Sequence, residues 1–369
     1  MMREHFADLT DERQCGKIRH NLLEVVVMTI CAVIAECDDW DDIADYCRVK
    51  EGWFRESLNM VLENGLPSPD TFERVWAMIQ PKEFERCFRS WVSEVCQRIE
   101  GGIVSIDGKT VRGSGDKERS PLHMVNAWAH QQQLVLGQVA TDAKSNEITA
   151  IPNLLDVLEI AGCIITIDAM GCQKDIVRKI VQKEADYVLG LKGNQPTLHQ
   201  ATEEYFHDAL DDKSSYPEVQ HKLTTDKGHG RIEVRNYYLT TNIDWLSGHE
   251  EWRGMNALGM VRARVTRGEK VTEETRFYIT SLTYVEPFSN AVRAHWGIEN
   301  SLHWCLDVTF GEDDSRIRKD HSAENMAVVR QMALNILKQH PEKISLARKR
   351  RRCAYDDVWL ADLLLSIMM

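Results

Sequence analysis

The sequence predicts an α/β protein led by a helical N-terminal quarter and carrying a strand-rich stretch late in the chain. Three observations predict it. Residues 18–99 place apolar side chains at helical period, and from Gly101 onward short apolar runs alternate with amphipathic ones. Two of those runs, "IVSID" (103–107) and "IITID" (164–168), are hydrophobic enough to be buried yet each ends on an aspartate. With 369 residues, 43% of them hydrophobic, the chain has material for a substantial core and two or three domains.

In the helical quarter, "GLPSPDTFERVWAMI" makes Asp70 the expected N-cap, with Glu73 at capping-box spacing, and Pro81 suits the first turn of the next helix. Strands are then expected at 103–107, 123–129 and 134–141, a helix over about 147–161, a strand at 163–168, a helix at 174–184 and a strand at 187–192. The order is β-β-β-α-β-α-β. A helix at 195–210 follows, then strand patterns at 231–241, 257–267 and 275–282, and a long helix from Pro287 to Cys305.

That order gives the two aspartates a purpose. Central strands of an α/β sheet deliver their polar ends to one edge, so Asp107 and Asp168 are expected to converge there. Glu299 stands between His295 and His303 at i−4 and i+4, which puts all three on one face of the last helix. Three carboxylates suit hard divalent cations, and a pair of such ions about 4 Å apart serves phosphoryl transfer.

Each residue also has a plainer reading. Asp107 and Asp168 fit turn formers or caps after strands, and Glu299 fits a surface charge. A zinc site on His295, Glu299 and His303 lacks the tighter H-E-x-x-H spacing, which leaves the histidines to the core or to DNA. Trp296 and Trp304 are expected to pack against the sheet, and Asp307 leans toward the metals or caps a turn. In "LKGNQ", Lys192 and Asn194 reach phosphate or merely shape a loop; in "DKGHGRIEVR", His229, Arg231 and Arg235 line a strand for DNA or form a salt-bridged ladder.

The net charge is −12, and residues 1–100 hold 12 Lys+Arg against 20 Asp+Glu, so this quarter is no general phosphate magnet. If it meets nucleic acid, a few base or shape contacts are expected in place of bulk phosphate binding; otherwise it is expected to bind protein. Bulk phosphate binding falls to "VRARVTRGEK", "SRIRK" and "RKRRR" (348–352). No run approaches 18 uncharged apolar residues, "MMREHFADLT" has no apolar signal region, and ten cysteines include no C-x-x-C. A soluble cytoplasmic protein with reduced thiols is expected, without a membrane.

Six ordered blocks, "SIDGKTVRGS", "TIDAMGCQ", "YVLGLKGNQ", "HGRIEVR", "RFYITSL" and "HWGIENSLHWCLDVTFGEDDSRIR", resemble the DDE transposases associated with bacterial Rhs-element H-repeats. "GLPSPDTFERVW" resembles their leading domain, and the likeness runs from about Arg19 to Asp357. It implies a small helical N-terminal domain (1–99), an RNase H-like catalytic domain (100–340) with a β-rich insertion at about 215–285, and a basic C-terminal tail with a short helix (341–369). It further implies that Asp107, Asp168 and Glu299 hold Mg²⁺, with Mn²⁺ substituting. The chain would then cleave and join double-stranded DNA at insertion-sequence ends, as a homo-oligomer at the bacterial nucleoid. Lys109, Lys192, Asn194, His229, Arg231, Arg235, His295 and His303 are the expected DNA contacts. One departure stands out: Val292, His295 and Leu306 occupy positions where related insertion-sequence enzymes carry tyrosine, arginine and lysine. A metal-dependent nuclease on the same fold, an inactive DNA-binding remnant and a helical interaction protein are the alternatives; the presence of all three acids argues against simple decay.

Overall fold

The computed structural model describes residues 2–95, 102–116, 120–141, 147–228 and 230–368. Among the described residues five α-helices precede the first strand: α1 (Met2–His5), α2 (Leu22–Ile34), α3 (Trp40–Ser57), α4 (Pro69–Met78) and α5 (Pro81–Val95). Helix α2 is buried at every residue from Val25 to Ile34. A helix apolar all round must be surrounded, and α3 and a late helix pack on it. Asn21 caps it by accepting the Glu24 N–H at 3.1 Å. The α4 N-cap is Ser68, not the expected Asp70: Pro69, whose fixed φ suits the first helical position, starts the helix one residue earlier and moves Asp70 into the first turn. Pro81 opens α5 as the sequence predicts.

Among the described residues nine strands form one sheet, in the order β3 (Leu134–Ala140), β2 (Leu122–Ala129), β1 (Ile103–Val111), β4 (Ile164–Ile167), β5 (Asp186–Leu191), β9 (Lys270–Thr280), β8 (Ala257–Arg267), β7 (Arg231–Thr240), β6 (Gln220–Gly228). β1, β4 and β5 run parallel and every other pairing is antiparallel. Helices α6 (Glu147–Val157) and α7 (Lys174–Gln182) lie within the long connections that lead into β4 and β5. The strand-rich stretch continues the same sheet, since β9 pairs with β5 through Leu189 and Ile279. Strand β6 was not foreseen, because "QHKLTTDKG" is largely exposed and shows no apolar run.

The remaining helices are α8 (Pro196–Asp211), α9 (Val285–Ile298), α10 (Ser322–Gln339), α11 (Leu346–Tyr355) and α12 (Asp357–Met368). Phe288 of α9 lies on Gly259 of β8: a Cβ there would stand 2.4 Å from the Phe288 Cζ. Gly259→Ala is therefore expected to cost about 1–3 kcal/mol of stability through overpacking, read as a lower urea midpoint; an unchanged midpoint would contradict this packing.

Helix α10 binds the two halves together. Asn335 accepts the Val135 N–H at 2.8 Å and donates to its carbonyl at 2.9 Å, satisfying edge strand β3. Asn325 donates to the Trp76 and Ile79 carbonyls at the end of α4. Val26, Trp76, Val125, Ile165 and Met332 accordingly belong to one hydrophobic cluster.

The segment "RKRRR" is not a solvated tail. It forms part of α11, where Lys349 and Arg350 are buried. Lys349 donates to the Leu337 and His340 carbonyls at 2.8 Å, and Arg350 donates to the Val33 carbonyl at 2.8 Å. Arg352 pairs with Glu342 at 2.9 Å and Asp356 at 3.1 Å. Open carbonyls at helix ends and nearby acids hold these cations inside the fold, which leaves Arg348 and Arg351 exposed. Among the described residues no helix is long and apolar enough to cross a membrane.

Candidate active site

The parallel register of β1 and β4 sets Ile106 opposite Ile167, so the next residue on each chain, Asp107 and Asp168, stands side by side. Neighbouring strands are about 4.8 Å apart. One step earlier, Thr166 donates to Ser105 at 2.9 Å, and its hydroxyl also meets His295 Nδ1 of α9 at 3.0 Å. Side chains alternate between faces, so Asp107 shares the α9 face with Ser105. Helix α9 brings Glu299, exposed, to its own C-terminal end.

Asp168 keeps its plainer role as well: its Oδ1 accepts the N–H groups of Met170 and Gly171, at 3.0 and 3.4 Å, and caps a short turn. The Asp107 carboxyl is pushed up to about 7, by burial first and then by the negative charges of Asp168, Glu147 and Glu299; the Gly108 N–H opposes the shift. The charges of the other two expected acids therefore both bear on Asp107. Glu147, which the sequence does not single out, joins them.

The helix carrying Glu299 does not stay α. Wider π-turns span Glu299–His303 and Cys305–Thr309, a geometry that recurs at functional sites. His303 Nδ1 lies 3.7 Å from Asp107. Both His303 and His295 are pushed down to about 4, chiefly by burial, so each is a neutral imidazole beside the acids. Trp304, between the two π-turns, is exposed, against the expectation that it packs on the sheet. Trp296 is partly covered by the Arg276 guanidinium, 3.8 Å from its ring centre.

The expected DNA contacts divide. Lys109 is 7% exposed, and its ammonium lies 2.7 Å from Asp307, 2.6 Å from Glu312 and 3.5 Å from Asp313. It is an internal ion-pair centre, which also settles Asp307. Asn194 donates to the Ala169 carbonyl at 2.7 Å and so fixes the turn after Asp168. Lys192 is exposed and lines a hollow shared with Asp168, His295 and Arg276. His229 lies outside the described residues. Arg235 is buried between Asp226, at 2.6 Å, and Glu233, the ladder arrangement, whereas Arg231 stays exposed 3.7 Å from Glu233.

Arg231 lines a groove of about 510 Å³ with Arg267, Lys270, Arg276, Arg293 and Trp296. Glu274, Arg276 and Tyr278 border both this groove and the hollow beside Asp168. Arg276, although it opens the block "RFYITSL", and Arg293 are not singled out as contacts by the sequence: neither sits in a basic run, and the fold brings both to the groove. The donors suit a hard divalent cation, being carboxylate oxygens whose mutual repulsion a cation would relieve. Among the described residues no three candidate ligands already surround a common point.

Two family models match the chain. The family described as "Transposase DDE domain" matches residues 99–336, and the family described as "DDE_Tnp_1-associated" matches residues 3–92. The chain is 40% identical to the "Putative transposase YncI" of Escherichia coli O157:H7, over 98% of this chain and 94% of the relative. It is 40% identical to the "H repeat-associated putative transposase YhhI" of Escherichia coli (strain K12), over 98% and 97%. A piggyBac transposase synaptic complex with hairpin DNA aligns at 9% identity and a TM-score of 0.42, covering 100% of this chain and 77% of that one, a likeness too slight to bear on function.

Proposed function

Because this chain belongs to the DDE transposase family, we propose that it hydrolyses phosphodiester bonds at the ends of an insertion sequence and transfers the freed strands to target DNA. The observation that carries the reading is the β1–β4 register, which sets Asp107 beside Asp168 on the face where α9 presents Glu299. The β3-β2-β1-β4-β5 order, antiparallel then parallel, supports an RNase H-like architecture for this part of the sheet.

Asp107, Asp168 and Glu299 would hold Mg²⁺ or Mn²⁺. A divalent cation supplies positive charge that favours deprotonation of the attacking oxygen and offsets charge on the leaving one. The chain's own groups do the rest. Asn194 and the Asp168 cap fix the turn beneath the second acid. Neutral His295 and His303 crowd the acids without neutralising them. Arg231, Arg267, Arg276 and Lys192 line the path along which a phosphate backbone reaches the acids. The partner is double-stranded DNA, with two ends held by more than one copy of the chain. A nuclease reading of the same site is excluded only if joined products form.

Metal binding tests the proposal. Metal-free, Asp107 has a folded pKa above its unfolded value, so this group's contribution to stability is present at low pH and is lost as pH rises to about 7. Proton and cation compete for it. Millimolar Mg²⁺ or Mn²⁺ is expected to raise the unfolding midpoint, more above about pH 8 than below about pH 6. No shift at either pH would count against the reading.

A further inference from the structure

We infer that Glu147, held in place by His123, is a fourth carboxylate of the proposed cation site. The inference rests on the reading above. Glu147 opens α6, which packs on β2 and β3, and its carboxylate lies against Gly108, the residue after Asp107. Its Oε1 meets His123 Nε2 at 2.8 Å, and the other ring nitrogen of His123 meets the Thr110 hydroxyl at 2.9 Å. An imidazole fixed at both nitrogens fixes the carboxylate in turn, as the outer partners of metal ligands do.

Gly108 supplies the second observation. A Cβ at this position would stand 2.0 Å from Glu147 Oε1 and 2.6 Å from His123 Nε2. The backbone next to Asp107 is therefore bare where Glu147 lies across it, a close approach that only glycine permits. A carboxylate kept only to cap α6 has no need of this contact. The Glu147 side chain is also 15% exposed, sheltered like a ligand and unlike a surface charge.

Mn²⁺ titration of the full chain, followed by bound-Mn²⁺ paramagnetic resonance and by the unfolding midpoint, tests the assignment. Glu147→Gln keeps an acceptor oxygen for His123 and removes the charge. It is expected to weaken Mn²⁺ binding about tenfold or more while leaving the metal-free midpoint nearly unchanged. Glu147→Asp, with the charge on a shorter arm, is expected to bind between wild type and Glu147→Gln. Wild-type Mn²⁺ affinity in both variants, with loss in Asp107→Asn, would overturn the fourth-acid assignment and leave the three-acid reading standing. Wild-type affinity in Asp107→Asn as well would sink both.

Discussion

Replacing any one of the three acids, by Asp107→Asn, Asp168→Asn or Glu299→Gln, is expected to slow strand cleavage and joining at least roughly a thousandfold. Each change keeps volume and a hydrogen-bonding oxygen but removes one charge from the group that would hold a cation against phosphate. A thousandfold loss corresponds to about 4 kcal/mol of transition-state stabilisation. The fold and the Arg-lined groove stay intact, so DNA affinity without metal should hold or rise as a repulsive carboxylate disappears. Asp107→Asn should also stabilise the metal-free protein near neutral pH, because Asp107 is the acid that burial and its neighbours oppose most clearly. Single-turnover cleavage rates, DNA binding and unfolding on the same preparations separate these effects. A Glu299→Gln protein that cleaved at the wild-type rate would remove the third acid, leaving Glu147, whose charge also bears on Asp107, as the candidate.

Lys109→Met is expected to have the largest effect on stability. The ammonium is the only positive group within 4.0 Å of Glu312 among the described residues, and Glu312 is 1% exposed, with Asp307 and Asp313 beside it. Removing one partner of a buried ion cluster strands the others at a cost of about 3–5 kcal/mol, a large share of the 5–15 kcal/mol that holds a typical domain. The cluster also straps the chain beyond Glu299 to strand β1: Asp313 accepts the Arg112 N–H at 3.1 Å, and Arg318 donates to the Gly113 carbonyl at 2.7 Å. Catalysis should fall along with stability, since this strap sets Glu299 across from Asp107. Chemical denaturation reads the first effect. Wild-type stability combined with weakened DNA binding would instead return Lys109 to the DNA-facing role that its position after Asp107 suggests.

Much of this was legible in the chain because it follows from period and from strand ends. Ile106-Asp107 and Ile167-Asp168 announce buried strands ending on acids, and the β-β-β-α-β-α-β order places them at one edge. What escaped depends on contacts between distant segments. Lys109 reads as a free cation until Glu312 folds back 203 residues later to cover it. The basic run at 348–352 reads as a tail until α10 and Val33 offer it carbonyls. The π-turns after Glu299 leave no trace in a helix-period pattern; His303 still lies 3.7 Å from Asp107, on the side of the acids, whereas Trp304 is exposed. Glu147 carries no such mark in the sequence, since it does not end an apolar run as Asp107 and Asp168 do; only Gly108 and His123, brought close by β1 and β2, mark it.

The most direct measurement is strand joining itself. The protein is incubated with labelled duplex carrying the element's two ends, an unlabelled target duplex and Mg²⁺, and the products are resolved on a denaturing gel. Metal-dependent cleavage at the ends and labelled strands joined to target are expected, both abolished by Asp168→Asn. Cleavage without joined product would make the chain a nuclease on a transposase fold. Joining that persisted in Asp168→Asn would contradict the three-acid site outright.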